Sequence, residues 1–376
     1  MQTAPEWRVL GHSVRGAAHH RSGLPNQDAI HWLPATRVGP PLILAISDGH
    51  GSAKNFRSDV GSDLAVRQTA WLIQDLVDGQ PDPANLSAIK RTAEERLPQE
   101  IARQWQEAVA GHHRKNPFTP AELRALEEKK GVEARRQIEA TPRLAYGATI
   151  LCVLVTADFI LYLQLGDGDI LTVSAAGEVQ RPLPRDARLF ANETTSLCTE
   201  DAWRDVRFRF EALFNAPPAL IMLATDGYAN SFVNDTAFFK VGSDLLAILR
   251  EDGAQAIEAN LPTWLSEASE AGSGDDITVG LLYRAPPPPP PPSDVDEAAD
   301  EDETTSAAPP ETEIEATIAT STTPPPAEPE PATPEAPPPS SQSPAPRRPK
   351  INPKEKATGP REPCKSLDEL LSDARS

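Results

Sequence analysis

Two stretches of the chain are apolar over the full length of a strand, and both stop on the same dipeptide. Pro41-Leu42-Ile43-Leu44-Ala45-Ile46-Ser47 ends at Asp48-Gly49, and Ala219-Leu220-Ile221-Met222-Leu223-Ala224-Thr225 ends at Asp226-Gly227. A strand without alternating polar residues has both faces covered. A fold built on such strands is layered, with apolar material on each side of a sheet. The runs at residues 148–155 and 159–165, joined by Thr156-Ala157-Asp158, predict an antiparallel hairpin. It ends at Gly166-Asp167-Gly168-Asp169 and is followed by a strand at 170–174. Shorter strands are expected at 7–13, 29–33 and 277–283, with a loop over residues 19–28.

Between residues 60 and 140 the period changes. Leu64, Ala65, Ala70, Leu72, Ile73 and Leu76 recur at helical spacing. Thr119-Pro120-Ala121-Glu122 has the form of a helix start, with a threonine N-cap, a proline at the first position and a glutamate closing a capping box. One polar loop, at 111–117, divides this region into two helical stretches and holds His112 and His113 as solvated residues. Two more helices are expected at 243–250 and 254–268.

Composition marks the end of the folded part. Of 40 prolines, 24 follow Ala285, and that last stretch holds 18 acidic and 8 basic residues. Such composition stays extended and solvated. Residues 1–285 are therefore expected to form one domain. Residues 286–376 are expected to be a disordered, Pro- and acid-rich tail with a basic patch near Arg347 and a short apolar face at Leu367, Leu370 and Leu371. The net charge of −19 argues against nucleic acid or an anionic membrane as partner. Three widely spaced cysteines form neither a disulfide framework nor a CxxC metal site. Cys152 reads as a small buried hydrophobe. The N-terminal residues lack a signal-peptide pattern, and the most apolar segment, 149–165, is broken by Asp158. A cytoplasmic protein is expected.

The chemistry points to aspartate. Asp48, Asp167 and Asp226 each end a strand and precede a glycine, while Asp275 stands just before the last strand. Strand ends in a packed sheet lie close together, so these carboxylates can converge. Converged carboxylates repel, and cations between them remove the repulsion. Ligands that are all oxygen select hard ions such as Mg2+ or Mn2+. Asp-Gly is also a common hairpin turn, and for Asp167 taken alone that is the better reading.

Asp48-Gly49-His50-Gly51, Gly147-Ala148-Thr149, Gly166-Asp167-Gly168-Asp169, Ala224-Thr225-Asp226-Gly227 and Gly274-Asp275-Asp276-Ile277-Thr278-Val279 occur in that order. In sequence and spacing they resemble the PP2C (PPM) family of metal-dependent protein serine/threonine phosphatases, in its bacterial branch. Asn26-Gln27-Asp28 fits the family's early acidic motif. The resemblance covers residues 7–284. It implies an α+β fold, a central antiparallel β-sandwich flanked by helix pairs, with two Mn2+ or Mg2+ ions at one end. Carried over by position, Asp48 bridges both ions and Asp226 and Asp275 complete the first. The Gly49 carbonyl helps hold the second, with Asp28 nearby through water. Asp167 matches a ligand of a weaker third ion, and His50 the proton donor to the leaving alkoxide.

The chain departs from the family at three places. Gln27 stands where members often carry glutamate, Gly23 where they carry a phosphate-binding arginine, and Asn230 where many have a further aspartate. Arg21, His19 or His20 is then the candidate for phosphate. Asn192, Glu193 and Thr194, in a segment placed like the family's active-site flap, are candidates on the substrate side. The activity implied is hydrolysis of phosphoserine or phosphothreonine by a water activated between two metal ions, on a phosphoprotein marked by a cognate kinase. The competing readings are a catalytically silent scaffold of the same fold that binds a phosphoprotein or kinase, and a small-molecule phosphatase. The polyproline segments fit a reader of PxxP ligands or a spacer.

Overall fold

The computed structural model describes residues 6–285 other than 81, 83, 187–193 and 215. The first strands are β1 (Trp7–Val14), β2 (Ala29–Leu33), β3 (Val38–Gly39) and β4 (Leu42–Ser47), with α1 (Ala17–Ser22) between β1 and β2. Three helices follow, α2 (Ser58–Asp78), α3 (Leu86–Lys115) and α4 (Pro120–Ala140). The chain then returns to strands, β5 (Ile150–Val155), β6 (Phe159–Leu165), β7 (Asp169–Val173), β8 (Val179–Gln180), β9 (Arg207–Ala212) and β10 (Leu220–Ala224). It closes with α5 (Asp226–Ala229), α6 (Asp235–Glu251), α7 (Ala254–Ala271) and β11 (Ile277–Arg284).

The strands form two antiparallel sheets, ordered β3-β1-β11-β10-β7-β8 and β2-β4-β5-β6-β9. Their side-chain alternation explains the continuous apolar runs. Leu42, Leu44 and Ile46 of β4 meet Ile221 and Leu223 of β10 between the sheets. Ile43 and Ala45 point the other way, into a core shared with Ala65, Ile73, Ile101 and Trp105 of α2 and α3. On the far side Leu220, Met222 and Ala224 pack under Phe238, Leu245, Leu261 and Leu265 of α6 and α7. Both faces of each central strand are therefore dry, as the runs require. The result is the antiparallel sandwich between helices that the motifs implied.

Three details differ from the sequence reading. The helical region holds three helices, because Gly79 ends α2 and the Asn85 side chain caps α3 by accepting from the Ala88 N–H at 3.0 Å. The expected break at 111–117 comes later, since α3 runs on to Lys115 and carries both histidines. His112 Nδ1 lies 3.0 Å from the Tyr146 hydroxyl and His113 packs on Phe118, so neither is merely solvated. The expected loop 19–28 begins inside α1. The capping box forms as read, with Glu122 N–H donating to Thr119 Oγ1 at 3.2 Å and Thr119 N–H to Glu122 Oε2 at 2.7 Å.

Register brings the motif ends to one edge of the sandwich. Ala224 at the end of β10 pairs with Asp169 and Val279, at the starts of β7 and β11. Ile46 pairs with Leu151, and Ile150 with Leu165, so the ends of β4 and β6 flank the start of β5.

Candidate metal centre

Asp48, Gly49 and His50 prolong β4 against the Gly147-Ala148-Thr149 segment. Asp48 N–H donates to Thr149 Oγ1 at 3.0 Å, Thr149 N–H to the Asp48 carbonyl at 2.9 Å, and His50 N–H to the Gly147 carbonyl at 3.0 Å. Two glycines make the approach possible. A Cβ on Gly147 would lie 2.6 Å from His50 Cδ2 and 2.5 Å from Asn55 Nδ2, and one on Gly49 would lie 2.4 Å from the Gln27 carbonyl oxygen. The two motifs, far apart in sequence, are thus two sides of one small ladder.

Asp48, Asp167 and Asp226 each present a carboxylate oxygen within 4.8 Å of the others. Asp167 therefore belongs to the cluster and is more than a turn residue. It accepts from Thr194 Oγ1 at 2.9 Å, and Asp226 accepts from Asn230 Nδ2 at 2.9 Å. Asn230 thus offers the cluster a neutral donor in place of a further carboxylate. Asp169, in the same Gly-Asp-Gly-Asp motif, turns away and pairs with Arg181.

Asp28 joins from the adjoining loop. Its Oδ2 accepts from Thr225 Oγ1 and Thr278 Oγ1, both at 2.8 Å. Burial raises the Asp28 carboxyl well above the usual range, and the charges of Asp276 and Asp275 add to this. Burial likewise raises Asp48, helped by the charges of Asp28, Asp226 and Asp275. Asp226 is pushed up to about 6 by burial and the Asp167 charge. Asp275 is raised by burial against the hydrogen bond it accepts from the Asp276 N–H at 2.9 Å. All four carboxyls are raised, and cations among them would relieve their mutual repulsion. Divalent cations fit this donor set of carboxylate oxygens.

Two histidines flank the cluster. Burial pushes the His50 imidazole down and the Asp167 charge pulls it up. His19, in α1, is buried; its Nδ1 lies 2.8 Å from Asp276 Oδ2 and its Nε2 lies 3.9 Å from Asp275 Oδ1. Arg21 is exposed, and its guanidinium lies 3.9 Å from where a Cβ on Gly274 would sit, beside Asp275. His20 is exposed. Asn192 and Glu193 lie outside the described residues, while Thr194 supplies the hydroxyl that donates to Asp167.

The sequence reading passed over Asp276. Its buried carboxylate accepts from the N–H groups of Gly16 and Gln27, each at 2.6 Å, and lies 2.8 Å from His19 Nδ1. It fastens the whole early motif to the start of β11. The one sequence signal was that Asp275 is followed by a second aspartate, and burial alone assigns them different tasks. Gln27 is also pinned, its Nε2 donating to Ser58 Oγ at 2.6 Å, while its Oε1 is buried without a partner.

A family model described as protein phosphatase 2C matches residues 15–266, and the chain belongs to that family. Among solved structures it is similar to the serine/threonine phosphatase PstP/Ppp of Mycobacterium tuberculosis, at 18% identity over 74% of this chain and 99% of that one, with a TM-score of 0.45. It is also similar to the serine/threonine phosphatase Stp1 from Staphylococcus aureus, at 14% identity over 75% and 97% of the two chains, TM-score 0.45. A third is PppA of Pseudomonas aeruginosa, described as a key regulatory component of T6SS, at 14% identity over 75% and 99%, TM-score 0.44. No curated protein sequence matches the chain.

Proposed function

We propose that residues 1–285 are a metal-dependent protein serine/threonine phosphatase that hydrolyses phosphoserine and phosphothreonine esters. The observation that carries this reading is the convergence of Asp48, Asp167 and Asp226, within 4.8 Å, in a chain of the phosphatase 2C family. Asp48, Asp226 and Asp275, with the Gly49 carbonyl and Asp28, would hold two Mn2+ or Mg2+ ions, and Asp167 a weaker third. Such ions neutralise a phosphate dianion and lower the pKa of the water they hold.

The chain's own residues do the rest. Thr225 and Thr278 hold Asp28 in place by hydrogen bonds that leave its second oxygen free. His50 stands at the edge of the cluster beside Asp167, placed to give a proton to the departing serine or threonine oxygen, which is a poor leaving group without one. Arg21, exposed beside Asp275, is the cationic side chain we assign to the phosphate. The free, buried thiols of Cys152 and Cys198 fit a reducing compartment. A phosphoprotein marked by a cognate kinase is the expected substrate, with the proline-rich tail as tether or PxxP ligand.

The test is phosphate release from a phosphothreonine peptide by the full chain, with Mn2+, with EDTA, and in Asp226→Ala. Turnover should require the metal and fall at least about a thousandfold in the variant, a loss expected when a cation site is dismantled. A folded, Mn2+-loaded chain without turnover on several phosphopeptides would replace this reading with a non-catalytic phosphoprotein-binding scaffold.

A further inference from the structure

Next to Asp275, at the edge of the aspartate cluster, lie two donors to which the proposed function gives no role. His19 and Gln27 are 8% and 4% exposed. Gln27 Oε1 has no hydrogen-bond partner although it is buried, and an unpaired buried acceptor costs free energy unless something meets it. His19 Nδ1 faces the Asp276 carboxylate at 2.8 Å and the Pro25 carbonyl at 3.2 Å, both acceptors. The Nδ1 proton is thereby fixed, and in the neutral imidazole Nε2 is left as a lone pair. Both atoms border Gly51, where a Cβ would lie 3.8 Å from His19 Nε2 and 3.8 Å from Gln27 Oε1. Asp275 Oδ1 is 3.9 Å from the same Nε2. Two donors at about 2.1 Å from one ion can be at most about 4.2 Å apart, and the 3.9 Å between His19 Nε2 and Asp275 Oδ1 falls inside that limit.

We propose that His19 Nε2 is a metal ligand, sharing with Asp275 Oδ1 and Gln27 Oε1 a divalent cation next to the all-oxygen cluster of Asp48, Asp167 and Asp226. The Pro25 carbonyl, hydrogen-bonded to Nδ1, positions the ring, with the Asp276 carboxylate against the same nitrogen. An acceptor that holds the far nitrogen of a histidine sets its tautomer and ring orientation and makes it a stronger ligand. The mixed nitrogen and oxygen set favours a transition ion over Mg2+, because imidazole is a softer ligand than carboxylate or water. It also gives a reason for Gln27: with a nitrogen ligand alongside, a neutral acceptor serves where a carboxylate would add to the crowding of negative charge. The inference rests on the divalent-metal reading of the cluster and adds a ligand to it.

The full chain loaded with Mn2+ is examined by pulsed electron paramagnetic resonance for coupling of the ion to nitrogen. We expect a 14N coupling that changes to that of 15N when histidine alone is labelled. The coupling is lost in His19→Gln and kept in His20→Gln and His50→Gln. In titrations, His19→Gln weakens Mn2+ at least tenfold and Mg2+ much less, so the preference between the two ions falls. Wild-type protein that binds Mn2+ without histidine nitrogen coupling overturns the proposal, whether or not the variants fold. Coupling that persists in a folded His19→Gln overturns it too. Phosphate release by the same Mn2+-loaded sample separates the outcomes: turnover without nitrogen coupling removes the His19 ligand and leaves the phosphatase, while coupling without turnover does the reverse.

Discussion

At the scale of single residues, the site depends on close approaches and on carboxyls kept out of their usual charge state. Gly147 has φ −47° and ψ 129°, ordinary for any residue, so its importance is contact and not backbone strain. In Gly147→Ala the new methyl would press on His50 and Asn55, at 2.6 and 2.5 Å. We expect phosphothreonine peptide turnover to fall about tenfold or more, the scale of a misplaced proton donor. p-Nitrophenyl phosphate should lose much less, because its leaving group needs no proton. Comparing the two substrates in steady-state assays checks this. The raised carboxyls give a second expectation. A group whose folded pKa is raised contributes stability that is complete below its unfolded pKa and is lost as pH rises through the folded value. For Asp226 that window runs from the ordinary 3.8 to about 6, with Asp28, Asp48 and Asp275 displaced the same way. In EDTA, melting temperature should therefore fall between pH 5 and pH 7.5, on the order of 5 °C. Asp226→Asn should flatten the slope. Mn2+ should raise the melting temperature more at pH 7.5 than at pH 5, and thermal melts at both pH values with and without metal measure it.

At the scale of elements, Arg57 ties the start of α2 to the turn between α3 and α4. Its guanidinium grips both oxygens of Glu122 at 2.8 and 3.0 Å, donates to the Asn116 carbonyl at 2.6 Å and to the Tyr146 hydroxyl at 2.8 Å, and sits over the Phe118 ring. Burial pushes the Glu122 carboxyl up, but the Arg57 hydrogen bonds and the Thr119 cap outweigh it and hold the group at about 2. Its contribution is complete above pH 4.5 and is lost only as pH falls toward 2, so it does not disturb the window used for the aspartates. Arg57→Ala leaves Glu122 partly buried and unpaired, and should cost about 3 kcal/mol in urea denaturation. Thr119→Ala removes the cap alone and should cost about 1 kcal/mol. Equal losses in the two variants would mean that the helix cap, and not the ion pair, secures this turn. The capping box was legible because it is local chemistry. The break at Gly79 and the extension of α3 through His112 and His113 were not, since the Tyr146 hydroxyl that receives His112 lies 34 positions away.

At the scale of the molecule, β11 is a central strand that pairs with β1 on one side and β10 on the other. The described core is thus closed by Ile277–Arg284, before the proline run begins. Residues 1–285 alone should melt within about 2 °C of the full chain, a difference too small for any lost core packing. Calorimetry of the two forms decides it; a markedly lower transition for the shorter form would place part of the core in the tail.

The layered architecture was readable from the sequence because burial on both faces leaves a one-dimensional trace: Leu42 to Ile46 and Leu220 to Ala224 have no polar residue to turn toward water. The Asp-Gly stops that follow them likewise marked Asp48 and Asp226. What the tertiary structure alone decided is which neighbours those residues acquire. Asp167 taken alone read as a turn residue, and only the family resemblance set it among metal ligands; register puts β6 beside β5, and its carboxylate comes within 4.8 Å of two others. Asp275 and Asp276 are adjacent and chemically identical, yet one lies beside the cluster and the other, buried, holds the N–H groups of Gly16 and Gln27 and lies against His19. Side-chain type and period are properties of a short window of chain. Desolvation, repulsion between carboxylates and the partner of a buried proton depend on distances across the fold, and those distances exist only once the sheets have packed.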